Sequence, residues 1–250
     1  MMNAQTLAPT QPRRGLFARL RRSADATLRR ALRDRVWLRG VSAGGILAMA
    51  VLLGGGSAGA VDLSRQAVPL FGAASVPSSD LSPFFKWTTV LAAFRAEEAQ
   101  MHQPCQAGDS CKLQQWSVFI DSLRDKDPWT QIATVNERMN SARYIEDNVN
   151  YGQSDYWATP GQFFERSGDC EDYAIAKFMT LRELGFPNEQ MRIAIVQDTN
   201  LNLIHAVLVV YYQDVAYLLD NQIQQVVRVD SIRHYRPYYS LNETLWWRHS

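Results

Sequence analysis

The sequence lacks the features that mark metalloproteases, nucleotide-binding proteins and membrane-embedded proteins. No two histidines stand at the helical spacing of a zinc protease, and there is no glycine-rich phosphate loop or internal repeat. After residue 60, no apolar run reaches the 18 residues expected of a membrane span. These absences predict a soluble globular body over residues 61–250.

Charge is unevenly distributed in a chain whose formal net charge is only +1. Residues 1–60 hold ten arginines, no lysine and two acidic residues, a net charge of +8. Residues 61–250 hold 16 basic and 23 acidic residues, a net charge of −7. Because the acidic body lacks the basic face that phosphates require, we expect no nucleic-acid binding.

The basic head has the organisation of a secretory signal peptide. An arginine-rich stretch at 13–39 precedes an apolar run at 41–56 and an Ala-Gly-Ala sequence at 58–60. We therefore predict a signal peptide over residues 1–60, cleaved after Ala60, and a periplasmic protein. At about 16 residues the apolar run is short for a membrane span, so an uncleaved anchor is the less favoured alternative.

The three cysteines fit an exported protein. Cys105 and Cys111 flank five polar residues, a spacing that favours a local disulfide in an oxidising compartment. Cys170 is then left over, and an odd cysteine in an exported protein is either a buried inert thiol or a reactive one.

The hydrophobic pattern of the body changes from a helical period to a strand period. Residues 61–80, rich in Ser, Ala and Pro, predict an irregular N-terminus. Apolar side chains at helical spacing predict helices between residues 82 and 185, and four short β-branched and aromatic runs predict antiparallel strands after residue 190. We expect the aromatic tail at 235–247 to pack over the sheet. The order of elements predicts an α+β fold with N-terminal helices on an antiparallel sheet, in one domain at 81–250.

Cys170 stands where catalysis by a thiol is favoured. It follows Asp169, the predicted cap of a helix, and helix N-termini stabilise anions such as a thiolate. A nucleophilic cysteine also needs a base and a group that orients the base. His205, inside the apolar strand LIHAVLVVYY, is the candidate base. If a hairpin turn is centred between Tyr212 and Gln213, Asp220 lies directly opposite His205.

Each of these three residues also has a structural interpretation. A cysteine near a helix start is often a small core residue, a histidine on an apolar strand is often a satisfied core residue, and an aspartate at a strand end often forms a turn. Their combination with the unpaired cysteine favours a Cys170–His205–Asp220 site. The backbone N–H of Cys170 is then one oxyanion donor, with Trp157 or Gln162 as candidates for the second.

Three carboxylates stand within four residues of one another around the thiol. Asp169, Glu171 and Asp172 oppose a thiolate at Cys170, because like charges raise its pKa. A bound cation would remove this penalty, and ligands that are all oxygen favour Ca²⁺. The alternative is ordinary acidic capping of a helix N-terminus.

The block SGDCEDYAIAK at 167–177, followed by LRELG at 181–185, closely resembles the bacterial transglutaminase-like cysteine proteases of the LapG type. The segments at 204–208 and 219–221 are similar to the family's histidine and aspartate blocks, and the tail at 235–243 also resembles it. The similarity covers roughly residues 80–250.

This resemblance implies a papain-like, transglutaminase-like core with Cys170 as nucleophile, His205 as general base and acid, and Asp220 as orienting residue. It also implies Ca²⁺ at Asp169, Glu171 and Asp172. The implied role is periplasmic cleavage of a large surface adhesin near its N-terminus, commonly at a di-alanine site, which releases the adhesin and disperses biofilm. A LapD-type cyclic-di-GMP-responsive inner-membrane receptor is the implied partner.

Two other functions are compatible with the same residues. A transglutaminase or amidase shares the fold and the catalytic residues, and differs by using an amine acceptor instead of water. A catalytically silent calcium-dependent binding module would keep the acidic cluster without turnover. We expect a monomer in each case.

Overall fold

The computed structural model describes residues 68–106 and 108–250. The predicted signal peptide at 1–60 and its cleavage site lie outside the described residues. Among the helices of the described part, none combines the length and the apolar character needed to cross a membrane.

Within the described residues, six α-helices precede the main part of the sheet; the sequence predicts five of them, and the short helix α4 was not expected. In chain order they are α1 Phe85–Met101, α2 Lys112–Leu123, α3 Pro128–Asn140, α4 Asp147–Asn150, α5 Pro160–Arg166 and α6 Cys170–Glu183. Local chemistry sets several of their starts. Asp127 caps α3 by accepting a hydrogen bond from the Thr130 N–H at 3.1 Å, and prolines occupy the first turn of both α3 and α5.

In the described part of the chain, seven strands form one antiparallel sheet, which confirms the α+β prediction. They are β1 Ser75–Ser78, β2 Met191–Asp198, β3 Leu203–Tyr212, β4 Val215–Leu219, β5 Val227–Arg228, β6 Tyr235–Leu241 and β7 Trp246–His249. The order across the sheet is β1-β7-β6-β2-β3-β4-β5. Short 3₁₀ helices at Asn188–Gln190 and Val229–Ser231 precede β2 and follow β5.

Two predictions about the ends of the body are wrong. Residues 75–78 are not irregular, because β1 pairs with β7 from Ser75–His249 to Ser78–Trp246. The aromatic tail does not lie over the sheet but joins it as β6 and β7. In both places the strand conformation depends on pairing with a strand that is distant in the sequence. Pro77 is tolerated in β1 because β1 lies at the edge of the sheet.

Helix α6 lies at the centre of the molecule, and every side chain from Cys170 to Leu181 is buried. It packs on β3 and β2 on one side and on α3 and α5 on the other. The main hydrophobic core fills the space between the helices and one face of the sheet. A smaller cluster, which includes Val196, Val207 and Tyr235, covers the opposite face. This packing places the first turn of α6 against the sheet.

Candidate active site

Cys170 is the first residue of α6, and its thiol contacts both a carboxylate and a strand. The thiol donates a hydrogen bond to Glu171 Oε2 at 3.0 Å, and only 9% of the residue is exposed. The Ala206 N–H, one residue after His205 on β3, faces the same sulfur. The tertiary packing therefore brings the predicted nucleophile to the part of β3 that carries the predicted base.

The protonation of this thiol depends on its surroundings. Burial raises the pKa of Cys170 well above its usual value, and the nearby Glu171 and Asp169 raise it further, while the Ala206 N–H acts in the opposite direction. The structure thus confirms the electrostatic conflict expected between the acidic residues and a thiolate. A positive charge near these carboxylates would relieve it.

His205 and Asp220 form a buried hydrogen-bonded pair. The distance from His205 Nε2 to Asp220 Oδ1 is 2.8 Å, and each residue is about 1% exposed. Burial alone would raise the pKa of Asp220, but hydrogen bonds from His205, the Tyr235 hydroxyl and the Gln222 N–H outweigh it and lower the pKa. Asp220 is therefore ionised and accepts the proton on Nε2. The other ring nitrogen, Nδ1, lies 3.5 Å from Gln222 Nε2.

The predicted hairpin register is wrong by two residues. The turn is centred between Gln213 and Asp214, both in the left-handed region at φ 48° and 60°, so that Leu208 pairs with Leu219. His205 and Asp220 are consequently diagonal neighbours and not direct opposites. They still meet because a shift of two residues keeps every side chain on the same face of the sheet.

The shorter pairing of β4 has a second consequence. Strand β4 pairs with β3 only from Leu208 to Tyr212, whereas β2 pairs with β3 along residues 203–210. Within the described sheet, residues 205–207 therefore pair with β2 on one side and have no strand partner on the other. The start of α6 meets β3 at this segment, where the Ala206 N–H reaches the Cys170 sulfur.

Among the described residues, five buried or partly buried carboxylates surround the first turn of α6. Asp169, Glu171 and Asp172 were expected there, and Asp147 and Asp155 join them from the chain around α4. Two groups of three have carboxylate oxygens within 4.8 Å of one another: Asp147, Asp169 and Asp172 in one, and Asp147, Asp155 and Glu171 in the other.

This cluster has the properties of a site for a hard cation. Asp147 Oδ1 and Asp169 Oδ1 are buried and have no hydrogen-bond partner among the described residues. Burial, followed by the neighbouring carboxylates, raises the pKa of Asp169 to about 12 and that of Asp147 to about 7. An all-oxygen set with unpartnered buried carboxylate oxygens fits Ca²⁺ better than it fits helix capping alone.

Asp172 is held in the cluster by backbone groups. Its Oδ1 accepts a hydrogen bond from the Ala158 N–H at 2.7 Å, and its Oδ2 accepts one from the Asp169 N–H at 3.2 Å. A β-carbon on Gly168 would lie only 2.6 Å from the Asp172 β-carbon. The glycine of the GDCED block is therefore required by close approach.

One sequence candidate for the second oxyanion donor is occupied elsewhere. The carboxamide of Gln162 accepts a hydrogen bond from the Thr159 N–H at 3.0 Å and donates one to the Tyr156 hydroxyl at 2.8 Å, which closes the first turn of α5. Trp157 lies partly buried against the main core. Of the two candidates, only Trp157 keeps its polar group free of such a role among the described residues.

Sequence reasoning missed three residues of this site. Asp147 and Asp155 precede Asp169 by 22 and 14 residues and belong to no local pattern, and Tyr235 carries no signal beyond its place in the aromatic tail. The weak signal was the acidic pair Glu146–Asp147, which nothing in its neighbourhood connects to Cys170. Long-range folding alone brings these residues together.

Comparisons with known proteins match the fold of the chain and identify its family. The family model described as bacterial transglutaminase-like cysteine proteinase matches residues 99–247. LapG of Legionella pneumophila, in its calcium-bound form, is 30% identical with a TM-score of 0.51, over 63% of this chain and 86% of that one. A second LapG structure gives the same values, and an EGTA-treated one differs only in being covered over 84% of its length. Comparison with curated protein sequences finds no match. The chain belongs to the bacterial transglutaminase-like cysteine proteinase family, and its fold is that of a LapG-type cysteine protease.

Proposed function

We propose that the protein is a periplasmic, calcium-dependent cysteine endopeptidase that cleaves a large surface adhesin near its N-terminus. The observation that carries this proposal is the buried His205–Asp220 pair on the part of the sheet where the Ala206 N–H faces the Cys170 thiol at the start of α6. The similarity to LapG, in calcium-bound and EGTA-treated forms, supports both the protease activity and the ion. Cleavage at a di-alanine site releases the adhesin and promotes biofilm dispersal.

In the proposed mechanism, Cys170, His205 and Asp220 act as nucleophile, general base and orienting residue. His205 Nδ1 takes the proton of the Cys170 thiol, and the sulfur attacks the scissile carbonyl carbon. His205 then gives this proton to the leaving amine, which breaks the peptide bond and leaves a thioester. Next, His205 accepts a proton from water, the hydroxide attacks the thioester carbonyl, and the proton returns to the sulfur as the acid product leaves.

Asp220 makes this proton transfer directional. It accepts the Nε2 proton at 2.8 Å and is ionised, so the imidazole keeps Nδ1 unprotonated and available. The Cys170 N–H lies at the start of a helix, where the dipole stabilises an oxyanion. Trp157 is the remaining candidate for the second donor.

Asp169, Glu171 and Asp172, together with Asp147 and Asp155, would hold the calcium ion. When bound, the ion supplies positive charge that offsets these carboxylates next to the thiol. Glu171 would then accept the thiol hydrogen bond less strongly and oppose a thiolate less, so transfer of the thiol proton to His205 would become easier.

The disulfide supports the proposed periplasmic location, and the family resemblance supports the proposed partner. Cys105 and Cys111 form a disulfide with a Cα–Cα distance of 5.5 Å, and such bonds persist in oxidising compartments. The receptor, a LapD-type cyclic-di-GMP-responsive inner-membrane protein, is proposed from the family resemblance of residues 80–250. It binds and sequesters the protease when the dinucleotide is abundant.

The test is cleavage of an adhesin fragment by protein expressed from the full-length coding sequence. The substrate is an N-terminal fragment with its di-alanine, and a fragment with that pair changed to Asp-Asp is the matched control. We expect cutting at the di-alanine in calcium, loss of cutting in EGTA, recovery on adding Ca²⁺ but not Mg²⁺, and no cutting by Cys170→Ala.

The other outcomes separate the alternatives. Cutting that persists in EGTA keeps the protease and removes the calcium requirement. Incorporation of an amine into the fragment without cutting identifies a transglutaminase. Calcium binding without either reaction, and without alkylation of Cys170 by iodoacetamide, identifies a silent binding module.

A further inference from the structure

We propose that Tyr235 is a positioning residue that fixes the Asp220 carboxylate so that Asp220 can orient His205. This inference rests on the proposed function, because it gives Tyr235 a task within the Cys170–His205–Asp220 site. Tyr235 begins strand β6, which is separated from β3 by β2. Its side chain lies on the sheet face that carries the smaller hydrophobic cluster, and its hydroxyl reaches Asp220.

Each oxygen of the Asp220 carboxylate accepts a hydrogen bond from a different side chain. The Tyr235 hydroxyl donates to Oδ2 at 2.6 Å, while His205 Nε2 donates to Oδ1 at 2.8 Å. The Gln222 N–H adds a bond to Oδ1 at 2.9 Å. With both oxygens held, the carboxylate cannot rotate about χ2 without breaking a charge-assisted hydrogen bond.

Tyr235 is itself held rigidly. It is 1% exposed, and its ring lies edge-on to Phe71 at 5.6 Å and against His234 at 4.5 Å between centroids. The same ring is 5.9 Å from the His205 ring. Tyr235 thus contacts both residues of the His205–Asp220 pair: it packs against the histidine ring and donates a hydrogen bond to the aspartate.

A purely structural role for Tyr235 in the smaller hydrophobic cluster makes a different prediction. In that case the ring matters and the hydroxyl contributes only stability. Removing the hydroxyl by Tyr235→Phe keeps the contacts with Phe71 and His234 and leaves Asp220 Oδ2 without this donor. The matched control is Tyr238→Phe, which removes a hydroxyl from the same strand that bonds Gln197 Oε1 at 3.0 Å.

The experiment uses protein expressed from the full-length coding sequence, in saturating Ca²⁺, and three readouts. For Tyr235→Phe we expect kcat on the adhesin fragment to fall by about 10- to 100-fold, the size of one lost charge-assisted hydrogen bond, with KM within about twofold. Alkylation of Cys170 by iodoacetamide at pH 7.5 should slow. The downfield proton resonance of the His205 Nε2–H, assigned by its absence in His205→Gln, should broaden. Tyr238→Phe should match the wild type in all three.

Retention of wild-type kcat and an unchanged Nε2–H resonance in Tyr235→Phe would overturn the positioning role. Failure of the proposed function gives a different pattern, in which Cys170→Ser cuts the fragment as well as the wild type. The resonance does not depend on any substrate, so it still reports whether Tyr235 orders the His205–Asp220 pair. The two failures are therefore distinguishable.

Discussion

His205 and Asp220 meet as diagonal neighbours across β3 and β4, with 2.8 Å between Nε2 and Oδ1. Asp220 lies just beyond the end of β4, where the chain leaves the sheet and contacts α3 through the Asn140 carboxamide at 2.7 Å. The aspartate is thus held by the strand on one side and by a helix on the other. Such a pair is suited to an orienting role, because neither side chain has room to move.

We predict that Asp220→Asn abolishes most activity while leaving the fold intact. The amide keeps the size of the carboxylate but no longer favours a proton on His205 Nε2, so the imidazole adopts the wrong tautomer. We expect kcat to fall on the order of 10²- to 10⁴-fold. Asp230→Asn, which changes an exposed aspartate paired with Arg228 at 2.6 Å, is the control and should be unaffected. Activity of Asp220→Asn within twofold of the wild type would contradict the role of Asp220.

Asp147 and Asp155 should contribute to calcium binding although they lie far from the GDCED block in sequence. We expect Asp147→Asn to weaken calcium binding by about tenfold or more, because affinity depends on the number of charged ligands. Titration calorimetry measures this, and the rise in the unfolding midpoint on adding calcium should shrink in parallel. Asp121→Asn, an exposed residue that pairs with Arg124, is the control. Unchanged affinity in Asp147→Asn would exclude Asp147 from the calcium site.

Gly168→Ala should disturb the acidic cluster through a steric effect alone. The new methyl group would lie 2.6 Å from the Asp172 β-carbon, so Asp172 must move and its bonds to the Ala158 and Asp169 amides must weaken. We expect a loss of about 1–3 kcal/mol in the free energy of unfolding and weaker calcium binding.

Urea unfolding and calorimetry test the prediction for Gly168→Ala. Ser167→Ala, which changes the adjacent residue without adding an atom, is the comparison and should behave like the wild type. If Gly168→Ala binds calcium normally and unfolds at the wild-type urea concentration, the close approach does not matter.

Lys177 should make the protein less stable at neutral pH than at alkaline pH. Its Nζ is buried with no hydrogen-bond partner within the described part of the chain, and burial lowers its pKa from 10.5 to about 7, with Asp220 opposing part of that shift. Between pH 7 and 10.5 the unfolded chain binds more protons at this site than the folded chain. The free energy of unfolding therefore rises with pH there, by up to about 1.4 kcal/mol per unit.

Lys177→Met removes this titration and should stabilise the protein most at and below pH 7, with the difference shrinking toward pH 10. Urea unfolding at pH 6.5, 8 and 9.5 measures the effect. The exposed Lys126→Met serves as control and should keep the wild-type pH dependence. Parallel curves for Lys177→Met and the wild type would show that this amine is not responsible.

Local signals in the sequence predicted the helices and central strands well, and failed where a partner strand decides the conformation. Asp127–Pro128 and Thr159–Pro160 mark the starts of α3 and α5 because a cap and an N1 proline act within one turn. Residues 75–78 carry no such signal, and they are a strand because β7 lies next to them. The predicted turn lies one residue before the observed Gln213–Asp214 turn, because this segment has no glycine or asparagine to mark the positions of positive φ.

The sequence by itself determined the chemistry of this protein: a thiol at a helix start, a histidine in an apolar strand, an aspartate after the next strand, and acidic residues next to the thiol. These follow from residue types and short spacings, which act over one turn or one hairpin. Only the tertiary structure decided that Asp147 and Asp155 join the acidic cluster, and that Tyr235 holds Asp220. Such contacts between distant segments arise when α6 is buried between the helices and the sheet, and no local pattern encodes which distant side chains that packing brings together.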